Sequence, residues 1–178
     1  HFAFNCDTAW LKDYAWPLMK GAGRFCLDFL VSDPNGYLVT APSTSPENKF
    51  KMPDGFEGST LYGGTSDLAL IKGLFNKILA AADILKTDSA YVAEICASLK
   101  KLYPYQIGKK GNLQEWYFDW DDSDPQHRHI SHLIGLYPDN QISPVITPEL
   151  AAAAKRSLEL RGDKGTGWSK AWKINTWA

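Results

Sequence analysis

The sequence predicts an all-α fold in which helices are joined by long polar loops, and three features support this prediction. Apolar residues recur at helical spacing in several separate stretches of the 178-residue chain. Capping residues and helix-stopping glycines bound some of these stretches. Strand patterns are weak apart from the run Tyr37 to Thr40. The chain is therefore expected to be mainly helical, with its polar chemistry carried by the loops.

Two helices are predicted in the first half of the chain, on either side of a long loop. The first is a core helix from Pro17 to Val31, with the proline at a favourable first position. A loop follows from Ser32 to about Thr65 and includes a turn signal at Asp33 to Gly36. Ser66 is expected to cap the second helix. A structureless loop of this length is usually functional or disordered.

Three further helices are predicted in the second half. Asp88 opens the first of them, Thr147 with Pro148 and Glu149 caps the second, and Gly162 ends the second. Between these two helices lies a second polar loop from Tyr103 to about Ser131. The predicted helix bounds are Ser89 to Leu102, Pro148 to Arg161 and Trp168 to Ala178.

Composition restricts the classes of protein that the chain can belong to. With 44% apolar residues it has enough to bury a core, and its length suits one domain. A formal charge of −1 and the lack of a basic stripe argue against a nucleic-acid partner. No apolar run reaches the roughly 18 residues of a membrane span, and no signal-peptide pattern opens the chain. Both ends are expected to be truncated. The widely spaced Cys6, Cys26 and Cys96 predict buried free thiols.

The aromatic content points towards sugars. Aromatic residues make up 13% of the chain, including seven Trp and eight Tyr, and many lie in predicted loops. The apolar face of a pyranose stacks on an aromatic ring while its hydroxyls need polar partners. Loop aromatics beside polar side chains therefore favour a carbohydrate site.

A proline-stiffened loop, Pro42 to Asn48, carries the first candidate group. It presents the Glu47 carboxyl beside the Asn48 amide. A glycosidase needs a carboxylic acid held next to the leaving oxygen, and a rigid loop can hold one there. The alternative is a surface loop whose Ser and Thr residues only close turns.

A histidine-rich segment, His127 to His132, is the second candidate. Its three histidines allow a zinc site, although the spacing is loose and no complementary ligand is evident. Alternatively, Arg128 and His129 donate hydrogen bonds to sugar hydroxyls. A structural role also stays open for His132, which could satisfy a buried backbone carbonyl.

Three weaker patterns complete the set. Glu115 and Trp116 join a carboxyl to a ring, the composition of a sugar subsite. The acidic run from Asp119 to Asp124 lacks the glycine and terminal glutamate of an EF-hand, so it is interpreted as a solvated loop that orders the histidine segment. The run Gly165 to Ser169 lacks the lysine of a P-loop and predicts a tight helix start.

Taken in order, these segments resemble glycoside hydrolase family 95, the inverting α-1,2-L-fucosidases of bacteria and plants. Four ordered motifs over nearly the whole chain carry the resemblance. They are Tyr37 to Thr40 running into Pro42 to Asn48, then Leu113 to Trp116, then His127 to Leu133 with Gly135 to Pro138, and finally Thr166 to Ser169 before Trp172-Lys173.

The resemblance implies a fold, a reaction and a set of roles. The fold would be a portion of an (α/α)6 barrel, with residues 1–178 belonging to one catalytic domain whose long loops form the active site. Glu47 would be the general acid and Arg128 and His129 would bind fucose. Asn48, Glu115 and Trp116 would be further substrate contacts. The substrate would be a fucosylated oligosaccharide or polysaccharide, with no metal and no cofactor.

The sequence departs from the family pattern in one respect. The family activates water with asparagines and an aspartate, and the motifs that carry them are absent here. An inverting mechanism needs both an acid and a base, so this chain alone is expected to be inactive. Alternatives are an α-L-galactosidase of the same family, a non-catalytic carbohydrate-binding domain and the zinc protein. A secreted or periplasmic location is expected from the substrate class.

Overall fold

The computed structural model describes residues 2–178, and the chain divides into two compact units. Unit 1 consists of the stretch that ends at Leu38 together with Ile71–Leu102. Unit 2 consists of Val39–Leu70 and Tyr103–Ala178. The helices are α1 (Phe2–Asn5), α2 (Thr8–Trp10), α3 (Trp16–Phe29), α4 (Thr65–Leu85), α5 (Ser89–Lys101), α6 (Pro148–Arg161) and α7 (Gly167–Trp177).

The first core helix begins earlier than the sequence predicted. A π-helical turn at Leu11–Ala15 joins α2 to α3, so the helical path runs from Thr8 to Phe29. Proline lacks an N–H and its ring collides with the carbonyl four residues earlier, and a wider π turn before Pro17 relieves this conflict. The predicted helix end at Val31 is also wrong, because Leu30 is extended and begins β1 (Leu30–Ser32).

Unit 1 packs α3 through a small residue rather than through its large apolar side chains. Trp16 and Gly23 are the buried residues of α3, whereas Leu18 and Phe25 are exposed. A Cβ on Gly23 would lie 2.2 Å from Tyr91 Oη and 2.5 Å from Ile78 Cδ1. Close approach to Tyr91 and Ile78 therefore requires glycine at position 23.

Two ion pairs join α3 to the start and middle of α5 within unit 1. Lys20 Nζ lies 2.6 Å from Asp88 Oδ2, and Arg24 pairs with Glu94. The Arg24 guanidinium also sits over the Tyr91 ring, 4.4 Å from its centroid. The charged side chains are about one third to one half exposed, so these pairs lie at the surface of the unit.

The loop predicted between residues 32 and 65 contains short strands. Asp33 Oδ1 accepts N–H bonds from Asn35 and Tyr37, which confirms the predicted turn before β2 (Leu38–Thr40). In unit 2, β3 (Ser43–Thr44) pairs antiparallel with β6 (Thr60–Leu61). The strand β4 (Phe50–Lys51) lies between β5 (Glu57–Gly58) and β7 (Asp121–Asp122), both antiparallel to it. Strands of two residues are too short to show an alternating pattern.

The core of unit 2 forms around α6. Its predicted bounds are confirmed, and Gly162 follows it with a left-handed φ of 61°. The buried serine Ser157 on this helix receives the Leu113 N–H at 3.0 Å and so joins the loop to the helix. The buried cluster comprises Leu113, Leu133, Ile142, Ala153, Ala154 and Leu158.

Many loop aromatics of unit 2 pack against one another. Ring contacts run from Trp116 through Phe50 to Trp120, and from Trp120 through Phe118 to Tyr117. These rings stabilise the short strands, so they are not all available for sugar.

Two smaller expectations concern the thiols and the membrane. Cys6 is exposed, so the prediction of a buried thiol there is wrong, and Cys26 and Cys96 are only partly buried. Within residues 2–178, the helices are too short or too polar for a bilayer crossing.

Candidate active site

A tight turn at Ser45 to Asn48 presents the candidate acid. The Asn48 N–H donates to the Ser45 carbonyl at 3.1 Å, which closes a four-residue turn. Pro46 occupies its second position and Glu47 its third, where φ is 56°. Proline followed by a positive φ is the pattern of a type II turn, which usually has Gly or Asn at the third position. A glutamate in this left-handed conformation needs support from its surroundings.

The Glu47 carboxylate is bound by the two residues predicted to contact sugar. Its Oε2 accepts a hydrogen bond from Arg128 and lies 2.8 Å from His129 Nε2. The hydrogen bond of His129, followed by the charge of Arg128, lowers the pKa of Glu47 below its ordinary value. The Glu47 side chain is 58% exposed, so the carboxylate is open to solvent and to a ligand.

The start of α7 positions Arg128 and His129. Ser169, which is fully buried, donates its hydroxyl to the Arg128 carbonyl at 2.6 Å. The Trp168 ring lies 4.9 Å from the His129 ring, centroid to centroid. The predicted tight helix start is confirmed, because Gly165 has a positive φ and α7 begins at Gly167.

A largely apolar cavity of about 360 Å³ opens beside this group within unit 2. Arg128 and His129 contribute to its wall, and so does Pro46, the neighbour of Glu47 in the chain. Trp168 and Trp172 line it as well and are each 45% exposed. Aromatic walls with a few charged donors suit a sugar ring. The remaining lining residues are Ser66, Asp67, Leu70, Ile130, Ser131, Ile134 and Tyr137.

A second carboxylate, Glu115, lies buried behind the turn. Its Oε1 accepts the Ser45 hydroxyl at 2.5 Å and the Asn48 amide at 3.0 Å. Its Oε2 accepts a hydrogen bond from Arg161, the last residue of α6. His132 Nδ1 lies 3.2 Å from the same Oε2, without the alignment of a hydrogen bond. Every neighbour of this carboxylate is therefore a potential donor.

Asp122 extends the buried network. Its Oδ2 accepts from Arg161 at 2.8 Å, and its Oδ1 accepts from Asn48 at 3.1 Å. The Trp116 indole N–H donates to the same Oδ1 at 3.2 Å. The expectation that the acidic run is a solvated loop is therefore wrong at Asp122, which is held by three protein donors.

The charges of this network decide its protonation. Burial raises the pKa of Glu115, but His132, Arg161 and the hydrogen bonds from Ser45 and Asn48 outweigh it, so the pKa is lowered. Burial lowers the pKa of His132, and the positive charge of Arg161 lowers it further against the opposing effect of Glu115. At neutral pH the network therefore holds an ionised Glu115 and a neutral His132.

The predicted site residues thus form two groups, an exposed level beside the cavity and a buried level that holds the turn. Glu47, Arg128 and His129 contact one another at the exposed level. Asn48, Glu115 and Trp116 are 3%, 5% and 2% exposed. Their polar side-chain atoms are engaged by protein partners, so the structure favours a supporting position for these three over the predicted sugar contact.

Sequence reasoning missed several contributors to both levels. Arg161 resembled an ordinary basic residue at a helix C-terminus, and Ser45 resembled a turn residue. Trp168 had only its place in a motif to mark it. Pairings across tens of residues, such as Ser45 with Glu115, leave no local signal in the chain.

The three histidines do not gather around one point. His127 Nε2 lies 3.4 Å from the Pro46 carbonyl, His129 contacts Glu47, and His132 faces Glu115. Among residues 2–178, no group of three or more His, Cys, Asp and Glu side chains is arranged to hold a metal ion. The zinc alternative therefore has no support from this geometry.

Comparison with known proteins shows which sequences this chain is similar to. The chain is 41% identical to "Alpha-L-fucosidase 2" of Arabidopsis thaliana over 179 residues, which cover 100% of the chain and 21% of that protein. It is 35% identical to "Probable alpha-fucosidase A" of Aspergillus niger, over 100% of the chain and 23% of that protein. The protein of the same name in Aspergillus oryzae is 31% identical over 90% of the chain and 23% of its own length.

The chain thus spans about a fifth of the length of these curated relatives. The sequence model for the glycosyl hydrolase family 95 catalytic domain matches residues 1–178. Because the match covers the whole chain, the chain belongs to glycosyl hydrolase family 95 and is part of its catalytic domain.

Proposed function

We propose that the protein containing this chain releases terminal α-1,2-linked L-fucose from glycans with inversion of configuration. Glu47 is the general acid, and Arg128 and His129 bind hydroxyls of the sugar. The observation that supports this most directly is the convergence of Arg128 and His129 on Glu47 at the side of an aromatic cavity. Family membership and the names of the relatives agree with it.

The proposed reaction assigns one proton transfer to this chain. The Glu47 carboxyl gives its proton to the glycosidic oxygen as the bond from that oxygen to the anomeric carbon breaks. Water attacks the anomeric carbon from the opposite face and loses its proton to a base. Such a base stands roughly 6.5–9.5 Å from the acid in inverting enzymes. We expect the base to come from other parts of the protein and this chain alone to be inactive.

A general acid must carry a proton, whereas Arg128 and His129 favour the ionised form of Glu47 in the free protein. Sugar hydroxyls compete for the same donors, because guanidinium and imidazole N–H groups bind hydroxyl oxygens as well as carboxylates. Engagement of Arg128 and His129 by the substrate therefore weakens their hold on Glu47. We therefore expect the pKa of Glu47 to rise from its lowered value when substrate binds, so that the carboxyl can hold the proton it transfers.

The test is proton NMR of the full-length protein with an α-1,2-fucosylated trisaccharide. β-Fucose is expected to be the first anomer released, before mutarotation. The substitution Glu47→Gln should lower kcat by roughly 10²–10⁴-fold, the usual contribution of a general acid. Glu57→Gln, an exposed carboxylate on β5 of the same unit, is the matched control and should be without effect.

Each result has a defined meaning. If α-fucose appears first, inversion is wrong; if Glu47→Gln is as active as the parent protein, the assignment of the acid is wrong. Parallel assays with an α-L-galactoside address the alternative substrate, which differs at C6. Binding of the trisaccharide without turnover by the full-length protein would favour the non-catalytic alternative.

The finer features of the fold and location are part of the same proposal. The helices and loops of this chain are a portion of an (α/α)6 barrel, with the site at the loop end. Because fucosylated glycans are met outside the cytoplasm, the protein is expected to be secreted or periplasmic. Its substrate is a fucosylated oligosaccharide or polysaccharide.

A further inference from the structure

We propose that Glu115 is a positioning residue for Glu47: its carboxylate ties both ends of the Ser45 to Asn48 turn to Arg161 and so fixes the direction of the Glu47 carboxyl. This inference rests on the proposed role of Glu47 as the general acid. Glu115 itself is buried and does not line the cavity beside Arg128 and His129. It acts through the turn and has no contact with the sugar.

The turn is held at its two ends by a single oxygen. Ser45 and Asn48 are the first and fourth residues of the turn, and both donate to Glu115 Oε1, at 2.5 Å and 3.0 Å. Both side chains are almost fully buried, whereas Glu47 between them is exposed. Because the ends are fixed, the left-handed residue between them has little freedom to reorient.

The other oxygen of Glu115 connects the turn to a regular element. Oε2 binds Arg161 at the end of α6, and Arg161 also donates to Asp122 at 2.8 Å. Asp122 in turn accepts from Asn48 at 3.1 Å. The turn is therefore tied to the helix by two routes, and sites built on helices are held more precisely than sites on free loops.

The position requires a group that only accepts hydrogen bonds. The Ser45 hydroxyl, the Asn48 amide and the Arg161 guanidinium all donate to it, and an ionised carboxylate is the side chain with acceptors alone. Glutamine would direct an N–H towards one of these donors. Replacing Glu115 by Gln should therefore release one end of the tie while preserving side-chain volume.

The experiment separates positioning from folding through the leaving group. In the full-length protein, Ser45→Ala and Glu115→Gln are assayed on an α-1,2-fucosylated trisaccharide and on α-L-fucosyl fluoride. Fluoride departs with little help from an acid, so a displaced acid harms only the trisaccharide reaction. We expect kcat to fall about tenfold or more on the trisaccharide, since small misplacements cost up to roughly 10²-fold, and by less than about threefold on the fluoride.

Matched controls accompany each variant. Ser157→Ala removes another buried hydroxyl of the same unit, one that bonds only backbone groups of Leu113 and Ala153. Glu159→Gln neutralises an exposed carboxylate paired with Arg156 on α6. Neither should change the ratio of the two activities. Ser45→Thr keeps a hydroxyl at the same point and should restore much of the trisaccharide activity.

Equal losses on both substrates would mean that Glu115 and Ser45 serve folding alone, and unchanged trisaccharide activity of Ser45→Ala would mean that the tie is dispensable; either overturns the inference. If Glu115→Gln does not fold, Ser45→Ala still decides between these outcomes. Glu47→Gln is assayed alongside. If Glu47→Gln loses more activity on the trisaccharide than on the fluoride and Ser45→Ala does not, only the positioning role of Glu115 is wrong. If Glu47→Gln loses the same activity on both substrates, the assignment of Glu47 as the acid is wrong.

Discussion

The two units differ in one ion-pair network, which is buried in unit 2 and has no counterpart among the surface pairs described for unit 1. In unit 1, Lys20 with Asp88 and Arg24 with Glu94 join helices at positions that are about one third to one half exposed. In unit 2, Arg161 bridges Glu115 and Asp122 with 3% of its own side chain exposed. The same residue types therefore meet water in these pairs of unit 1 and are shielded from it around Arg161 in unit 2, whose other pairs, such as Arg156 with Glu159, are exposed.

Surface ion pairs and a buried ion-pair network differ in how much each contributes to stability. Exposed pairs contribute roughly 0–1 kcal/mol because water and salt screen them. A buried pair that loses one partner costs about 3–5 kcal/mol, since a charge is left without compensation. Unit 1 should therefore depend mainly on packing around Tyr91, and unit 2 on its network behind the Glu47 turn.

Removing the bridging cation is expected to have the largest effect. Arg161→Leu removes the guanidinium that pairs with both Glu115 and Asp122 and should lower the free energy of local opening by about 3–5 kcal/mol. Hydrogen exchange of α6 peptides in the full-length protein measures this free energy. Arg156→Leu, an exposed arginine of the same helix, should change it by less than about 1 kcal/mol. Equal effects of the two substitutions would remove the contrast between buried and surface charge.

Packing in unit 1 is tested next. Gly23→Ala places a Cβ 2.2 Å from Tyr91 Oη and should cost about 1–3 kcal/mol through overpacking. Gly21→Ala is the control, because nothing lies within 4 Å of its Cβ and alanine favours a helix by roughly 0.5–1 kcal/mol. Hydrogen exchange of α3 peptides should show opposite changes for the two variants. A stabilising Gly23→Ala would contradict the close contact.

The same contrast explains what the sequence could predict. Local sequence signals succeeded for features that near neighbours in the chain determine: the bounds of α6, its end at Gly162, the Asp33 turn and the start of α7 are confirmed. The predicted cap is an exception, because Thr147 occupies the N-cap position without a capping hydrogen bond from its side chain. Local sequence signals failed where residues distant in the chain determine the local structure. The short strands have no pattern of their own, and the helix before Pro17 depends on a π turn.

At the site, the predicted residues separate into an exposed group beside the cavity and a buried group below the turn. Glu47, Arg128 and His129 contact one another in the structure, and their roles towards sugar stay predictions. Glu115 was expected at a sugar subsite because carboxyl and indole suit sugars. Its burial depends on Ser45, Asn48 and Arg161, which lie 70, 67 and 46 residues away in the chain.

The stability of unit 2 should depend on pH through the buried His132. His132 has a lowered pKa in the folded protein because of burial and Arg161, despite Glu115 and Asp122, whereas unfolded histidine titrates near 6.5. As the pH falls below about 6.5, His132 becomes protonated in the unfolded state while it stays neutral in the folded state. The free energy of unfolding therefore falls by up to about 1.4 kcal/mol per pH unit.

Hydrogen exchange of α6 peptides between pH 7.5 and pH 5.5, corrected for intrinsic exchange rates, measures this loss. His132→Gln should reduce the change of the opening free energy with pH, and His129→Gln should leave that change as it is in the parent protein. If His132→Gln keeps the full slope, another group of the network carries the titration.

Neutralising a surface pair in unit 1 should have the smallest effect. Glu94→Gln removes one charge from a pair in which both side chains are nearly half exposed. The Arg24 guanidinium keeps its place over the Tyr91 ring, 4.4 Å from the centroid, so it does not become a buried, unpaired charge. The opening free energy of α5 peptides should fall by less than about 1 kcal/mol, and the difference should shrink further at high salt. A loss as large as that of Arg161→Leu would mean that exposure does not govern the value of these pairs, and that unit 1 is held by charge as much as unit 2 is.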